Sequence, residues 1–237
     1  MFQDKHLVVI GGSSGIGLRV AHTAAQQGAR VTIGGRSQVR LDSALQQIGN
    51  GARGFVVDSA SRDSLGAFFA QAGALDLLFT PGTSYVVGGF VNSDPATAHS
   101  PFEGKFWAQY WAVHAALPYL AAEASVVLVS GAASARPIKG GAAYAACNAA
   151  IEGLGRALAT ELSPRRVNVI APGTLDGELW QGRSAEVRGA AFAAYAQATL
   201  LKRVGRVEDA AQAALFLLAN HYTTGSTLYP DGGYALR

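Results

Sequence analysis

Ile10-Gly11-Gly12-Ser13-Ser14-Gly15-Ile16-Gly17 sets the architecture of this chain. It follows the wholly apolar run Leu7-Val8-Val9-Ile10 and precedes a stretch in which Ile16, Val20 and Ala24 recur at helical spacing. A glycine-rich turn between a strand and a helix is a phosphate cradle. Gly11 permits a tight turn, Gly15 lets the backbone approach a pyrophosphate with no Cβ in the way, and Gly17 lets the helix pack closely on the strand. The helix N-terminus offers free N–H groups to the anion, and Ser13 and Ser14 add hydroxyls. Gly11, Ser13, Ser14, Gly15 and Ile16 are the first candidate dinucleotide contacts.

Outward from this turn, six more apolar runs alternate with helical patterns: 31–33, 54–57, 75–79, 126–129, 167–170 and the weaker 226–229. Runs that are apolar throughout suit strands covered on both faces, so the pattern predicts an α/β fold with a parallel sheet. Ser100, Pro101 and Glu103 read as the cap, first-turn proline and capping-box acid of a helix running towards Leu120. On that helix Phe106, Tyr110, Val113 and Leu117 form the expected apolar stripe. No linker, repeat or low-complexity stretch divides the chain. One domain over residues 1–237 is expected, with 174–203 as a mobile lid.

The composition narrows the function. The 237 residues are 49% hydrophobic and only 15% charged, with 29 glycines, which excludes disorder. The single cysteine, Cys147, excludes a disulfide framework and a cysteine-rich zinc module, and no metal site is expected. The net charge of +3 comes from scattered basic residues, with Arg165-Arg166 the longest run, so no nucleic-acid partner is expected. No run approaches a membrane span and the first residues lack signal-peptide order, which predicts a cytoplasmic protein without a membrane partner. A surface so poor in charge favours a homo-oligomer.

At the end of the second run stands Ile33-Gly34-Gly35-Arg36-Ser37. An acid here would accept from a ribose 2′-OH; none is present, and Arg36 with Ser37 suits a 2′-phosphate through a charge-assisted pair, so NADP(H) is the expected cofactor. Asp58, with Ser59 beside it, reads either as an acceptor for the adenine amino group or as the cap of the next helix. His99 and His114 have no placed partner and read as solvated or structural.

The glycine pattern, Tyr144-Ala145-Ala146-Cys147-Asn148, Pro172-Gly173, Thr224-Gly225 and Asp231-Gly232-Gly233 together resemble the short-chain dehydrogenase/reductase family along essentially the whole chain. The resemblance implies one Rossmann-type domain with a seven-stranded parallel sheet in the order 3-2-1-4-5-6-7, and often a tetramer or dimer. It also implies an enzyme interconverting a small-molecule carbonyl and its alcohol with a Ser-Tyr-Lys set and a supporting Asn. Gly82 would face the cofactor, and Pro172, Gly173, Thr174 and Leu175 would bring backbone to the nicotinamide carboxamide.

The chain departs from the family at three points. Where the family has Lys, four residues after the Tyr, stands Asn148; where it has the supporting Asn stands Lys105. A tyrosine of ordinary pKa is a poor base near neutrality, and a nearby cation lowers it. Either Lys105 has taken over as that cation, reaching the phenol of Tyr144 from the neighbouring helix, or it is a surface residue flanking the apolar stripe. The family's catalytic Ser falls on Gly131, which leaves Ser130 as the expected carbonyl-polarising hydroxyl and Ser134 as a further candidate. Asn148 would hold the ribose. The expected activity is NADPH-dependent carbonyl reduction with Tyr144 as proton donor; the rival is a faded fold that only binds NADP(H), as a sensor or an assembly subunit. Trp180 and the alanine-rich stretch 189–198 read as a hydrophobic cover over the substrate.

Overall fold

The computed structural model describes residues 1–236; Arg237, the last residue of the expected domain, lies outside them. Seven strands form one parallel sheet in the order β3-β2-β1-β4-β5-β6-β9: β1 His6–Ile10, β2 Arg30–Gly35, β3 Arg53–Val56, β4 Leu75–Thr80, β5 Leu120–Val129, β6 Arg166–Ile170 and β9 Thr227–Leu228. These are the seven runs read from the sequence, in the expected order. Two further short strands, β7 Leu175–Asp176 and β8 Gly205–Arg206, pair with each other outside this sheet.

The apolar runs alternate across the sheet as a strand's two-residue period requires. Leu7 and Val9 of β1 enter a core with Val20 of helix α1 (Gly15–Gln26), Leu41 of α2 (Gln38–Ile48) and Leu215 of α9 (Val207–Ala219). Val8 and Ile10 face the opposite core, with Phe68 of α3 (Arg62–Ala72), Ala112 of α5 (Ala108–Ala116) and Ile151 of α6 (Ala142–Glu161). Three layers result, with both sheet faces dry and the C-terminal strand ends open for a site. No helix among the described residues is long and apolar enough to cross a membrane.

The helix expected from Ser100 begins earlier. Asp94 caps α4 (Pro95–Pro101) by accepting from Thr97 N at 2.9 Å, and Pro95 takes the first helical position. Ser100 instead accepts from Val86 N at 2.8 Å. Pro101 has no N–H to give its own helix, and the chain passes through a π-helical turn, Phe102–Trp107, before α5. Ser61, not Asp58, caps α3, accepting from Ser64 N; Asp58 accepts from Ala60 N within its own loop.

The expected stripe meets the core in part: Val113 is buried, and Phe106 and Leu117 pack against the same core. The buried face also takes in Lys105, Gln109, Ala112 and Ala116, while Phe106, Trp107, Tyr110 and Trp111 pack on one another in a band beside it. Polar and small residues share this face, which apolar spacing alone does not mark.

His6 sits in the core against Thr32 Oγ1 (2.9 Å) and Ala74 O (2.6 Å). Burial, reinforced by Arg30 and Arg53, holds its imidazole below the ordinary value of 6.5. The unfolded chain therefore binds the proton first as pH falls, so stability is level above about 6.5 and declines below it. In His6→Gln the fall in Tm between about pH 7 and pH 5 should flatten. An equally steep fall in thermal-melt series would assign it to other groups.

Candidate active site

The glycine turn leaves β1 as the sequence requires. Gly11 has φ +94°, and a Cβ there would stand 2.4 Å from Gly82 Cα, so the turn interlocks with the chain leaving β4. A Cβ on Gly17 would meet Gly11 O at 2.1 Å, which brings α1 tightly onto the loop. Ser14, the cap residue of α1, makes no side-chain capping bond and no acid occupies the first turn. The space off Gly15 is open. Together these leave the helix N-terminus free for an anion. Ser13 Oγ lies 3.1 Å from where a Gly35 Cβ would be, so the glycine turn adjoins the end of β2 and Arg36. Arg36 is exposed and makes no ion pair with the described residues, and Ser37 caps α2, its Oγ accepting from Arg40 N.

Four elements converge at the other end of this cleft. The π-helical turn carries Lys105, which is 3% exposed and donates to Ser130 O (2.7 Å) and Asn148 Oδ1 (2.6 Å). Its Nζ lies 5.3 Å from the ring centre of Tyr144 and 5.6 Å from that of Tyr85. Lys105 is not a surface residue. It occupies the centre of the site, with Asn148 as its acceptor. One turn further, the buried Gln109 holds the end of β5, accepting from Val129 N (2.7 Å) and Thr80 Oγ1 (3.1 Å) and donating to Val129 O (2.9 Å).

Electrostatics separates the two phenols. Burial alone would raise Tyr144, but the Lys105 charge, with the polar groups of Tyr85 and Asn148 beside it, outweighs it and holds the phenol below its usual range. Burial, and then the neighbouring Tyr144, push Tyr85 well above it. Burial lowers the Lys105 amine, partly countered by Tyr144.

The two serines do not reach the position expected of them. Ser130 Oγ turns inward to Asn148 O (2.9 Å) and Glu152 Oε1 (3.0 Å), and Ser134 Oγ also bonds Glu152, whose other oxygen accepts from Tyr229 (2.8 Å). Glu152 draws both hydroxyls beneath α6. Neither this acid nor Tyr85 was singled out in the sequence, since nothing local marks either.

The remaining candidates sit along the cleft or above it. Gly82 follows β4. Pro172 O accepts from Ala132 N (2.9 Å), and Thr174 O from Gly205 N (3.0 Å), tying Leu175 of β7 to β8. Asp58 is exposed and Ser59 half-buried at the end of β3. His99 and His114 are both exposed.

The residues fit a dinucleotide. Asn148 Nδ2 is buried with no regular hydrogen-bond partner, a donor suited to a ribose hydroxyl, and the open helix N-terminus stands ready for phosphate.

Comparison with known proteins gives the family. Residues 11–235 match the family model described as enoyl-(acyl carrier protein) reductase. The chain is 31% identical to a short-chain dehydrogenase/reductase of Stachybotrys chlorohalonatus, covering 99% of this chain and 98% of that one. It is 30% identical to a 3-oxoacyl-[acyl-carrier-protein] reductase of Chlamydia muridarum, covering 98% of each. Among solved structures, a small-chain dehydrogenase in complex with NADPH superposes with a TM-score of 0.85 at 30% identity, over 99% of this chain and all of the other.

Proposed function

Because the chain belongs to the short-chain dehydrogenase/reductase family, an oxidoreductase family, we propose that it reduces a carbonyl to an alcohol with NADPH, with Tyr144 as proton donor. The observation that carries this reading is Lys105 buried beside Tyr144, a cation where the phenol needs one.

The nicotinamide, when bound, supplies the hydride to the carbonyl carbon. The protein's part is the proton. Tyr144 Oη gives its hydrogen to the carbonyl oxygen as negative charge develops there, and the phenolate left behind is stabilised by the Lys105 ammonium. Asn148 holds Lys105 through Oδ1 and offers Nδ2 to the ribose. The α1 N-terminus, with Ser13 and Ser14, takes the pyrophosphate, Arg36 and Ser37 the 2′-phosphate, and the Pro172–Leu175 backbone the carboxamide. The structure of the complex with NADPH supports the cofactor preference by analogy.

Residues 174–203 form the lid in this reading. Helix α8 (Ala185–Ala198) has no fully buried residue, and α7 (Glu178–Gln181) is clasped to α2 by the Glu178–Arg40 ion pair. The apolar residues Val86, Val87, Phe90 and Val91 are exposed, which suits an apolar or cyclic carbonyl. The half-exposed aromatic band of α5 suits a second copy of the chain.

The test is NADPH and NADH oxidation across a panel of ketones, aldehydes and quinones. Turnover that prefers NADPH and falls by ~10²–10⁴-fold in Tyr144→Phe, the usual worth of a positioned general acid, is expected. NADPH binding without turnover on any member of the panel would replace the enzyme reading with that of a sensor.

A further inference from the structure

A developing oxyanion needs more than the proton donor; family members supply a serine hydroxyl, and here that position is Gly131, while Ser130 and Ser134 are committed to Glu152. A Cβ on Gly131 would stand 3.1 Å from Tyr144 Oη, so no side chain from the end of β5 occupies the space beside the phenol oxygen.

Another phenol is there. The ring of Tyr85 stacks on that of Tyr144 with centres 5.2 Å apart and planes 23° from parallel, which sets the two phenols side by side. Tyr85 is fixed from both sides: Ser84 N donates to Gly104 O (3.0 Å) and Val86 N to Ser100 Oγ (2.8 Å), which binds the segment to α4 and the π-helical turn. Lys105 lies within 6 Å of both rings. We propose that Tyr85 is a second catalytic hydroxyl, which donates a hydrogen bond to the substrate carbonyl oxygen in place of the serine that Gly131 replaces. The proposal rests on the reductase reading above.

The division of labour follows from the environments of the two phenols. Tyr144 is held low and is the one that cedes its proton; Tyr85 is pushed high and stays an O–H donor throughout the working pH range. The proton reaching the substrate comes from Tyr144, and Tyr85 keeps its own, so the step remains one hydride and one proton added to C=O.

Tyr85→Phe retains the stacked ring and removes only the hydroxyl. With NADPH and the same carbonyl panel, kcat is expected to fall by ~10²–10³-fold, the usual cost of one oxyanion donor, with NADPH binding by fluorescence unchanged. The loss should persist across the whole pH–rate profile, and Tyr85→Phe/Gly131→Ser should recover at least part of it. A kcat within about threefold of wild type overturns the proposal, as does a loss that vanishes on the pH plateau, which would mean that Tyr85 only tunes Tyr144. Tyr144→Phe is run in parallel. If wild type turns over no member of the panel, the reductase reading itself fails; if wild type is active and Tyr144→Phe inactive while Tyr85→Phe is normal, only the Tyr85 assignment fails.

Discussion

In Lys105→Met, carbonyl reduction with NADPH is expected to fall by ~10²–10⁴-fold and the Tyr144 phenol to titrate at higher pH. The ammonium is the main charge opposing the burial of Tyr144, so removing it leaves desolvation to raise the phenol. The sign is the same in both directions of the reaction. Alcohol oxidation needs the phenolate, and its rising limb moves to higher pH; reduction needs the phenol, and its falling limb moves the same way. At neutral pH the variant keeps its proton but gives it up less readily, because the phenolate formed has lost its counter-charge.

Methionine also leaves Ser130 O and Asn148 Oδ1 without their donor, so a structural loss must be separated from an electronic one. Lys105→Asn/Asn148→Lys does this by returning the cation to α6, one turn from Tyr144, and the amide to the π-helical turn. Turnover within about tenfold of wild type in the double variant, from a much lower level in Lys105→Asn alone, would show that the cation matters and its helix does not. Full activity in Lys105→Met would remove Lys105 from the mechanism.

Gly104→Ala is expected to destabilise the protein by about 1–3 kcal/mol or more and to disable the site with it. A Cβ at this position would stand 1.7 Å from Ser84 O and 2.7 Å from its carbonyl carbon, both backbone atoms that cannot rotate away. The π-helical turn and the segment carrying Tyr85 would have to separate, breaking the Ser84 N to Gly104 O bond and displacing Tyr85 and Lys105 from beside Tyr144. For a chain of this size such a loss corresponds to a fall in Tm of roughly 2–12 °C, readable by calorimetry, with turnover falling further than the melt alone accounts for. A melting temperature and kcat both equal to wild type would mean that the two backbones are not in the contact described.

Much of the site was legible because two of its constraints are local. The glycine turn is written in residues that need a left-handed φ or a missing Cβ, and Gly11 and Gly17 meet neighbouring backbone as such residues should. Counting from Tyr144 and Pro118 singles out positions 105 and 148, and the two side chains are bonded to each other. The helix start misled because Ser-Pro-x-Glu is a good local signal that Asp94-Pro95, six residues earlier, outcompeted; once α4 had begun, Pro101 interrupted a helix instead of opening one.

The sheet, its parallel sense and the phosphate turn are written in local stretches of the chain. Those follow from a two-residue apolar period, a three-to-four-residue helical period and the backbone freedom of glycine, all of which act over a few neighbouring positions. Which side chains gather around Tyr144 depends on contacts between distant elements. Ser130 turns away because a carboxylate 22 residues later accepts its hydrogen bond, and Tyr85 turns in because Gly104 and Ser100 fix the chain on both sides of it. A side chain at the end of a strand points to whichever buried partner needs it, and that partner is chosen by packing between distant elements.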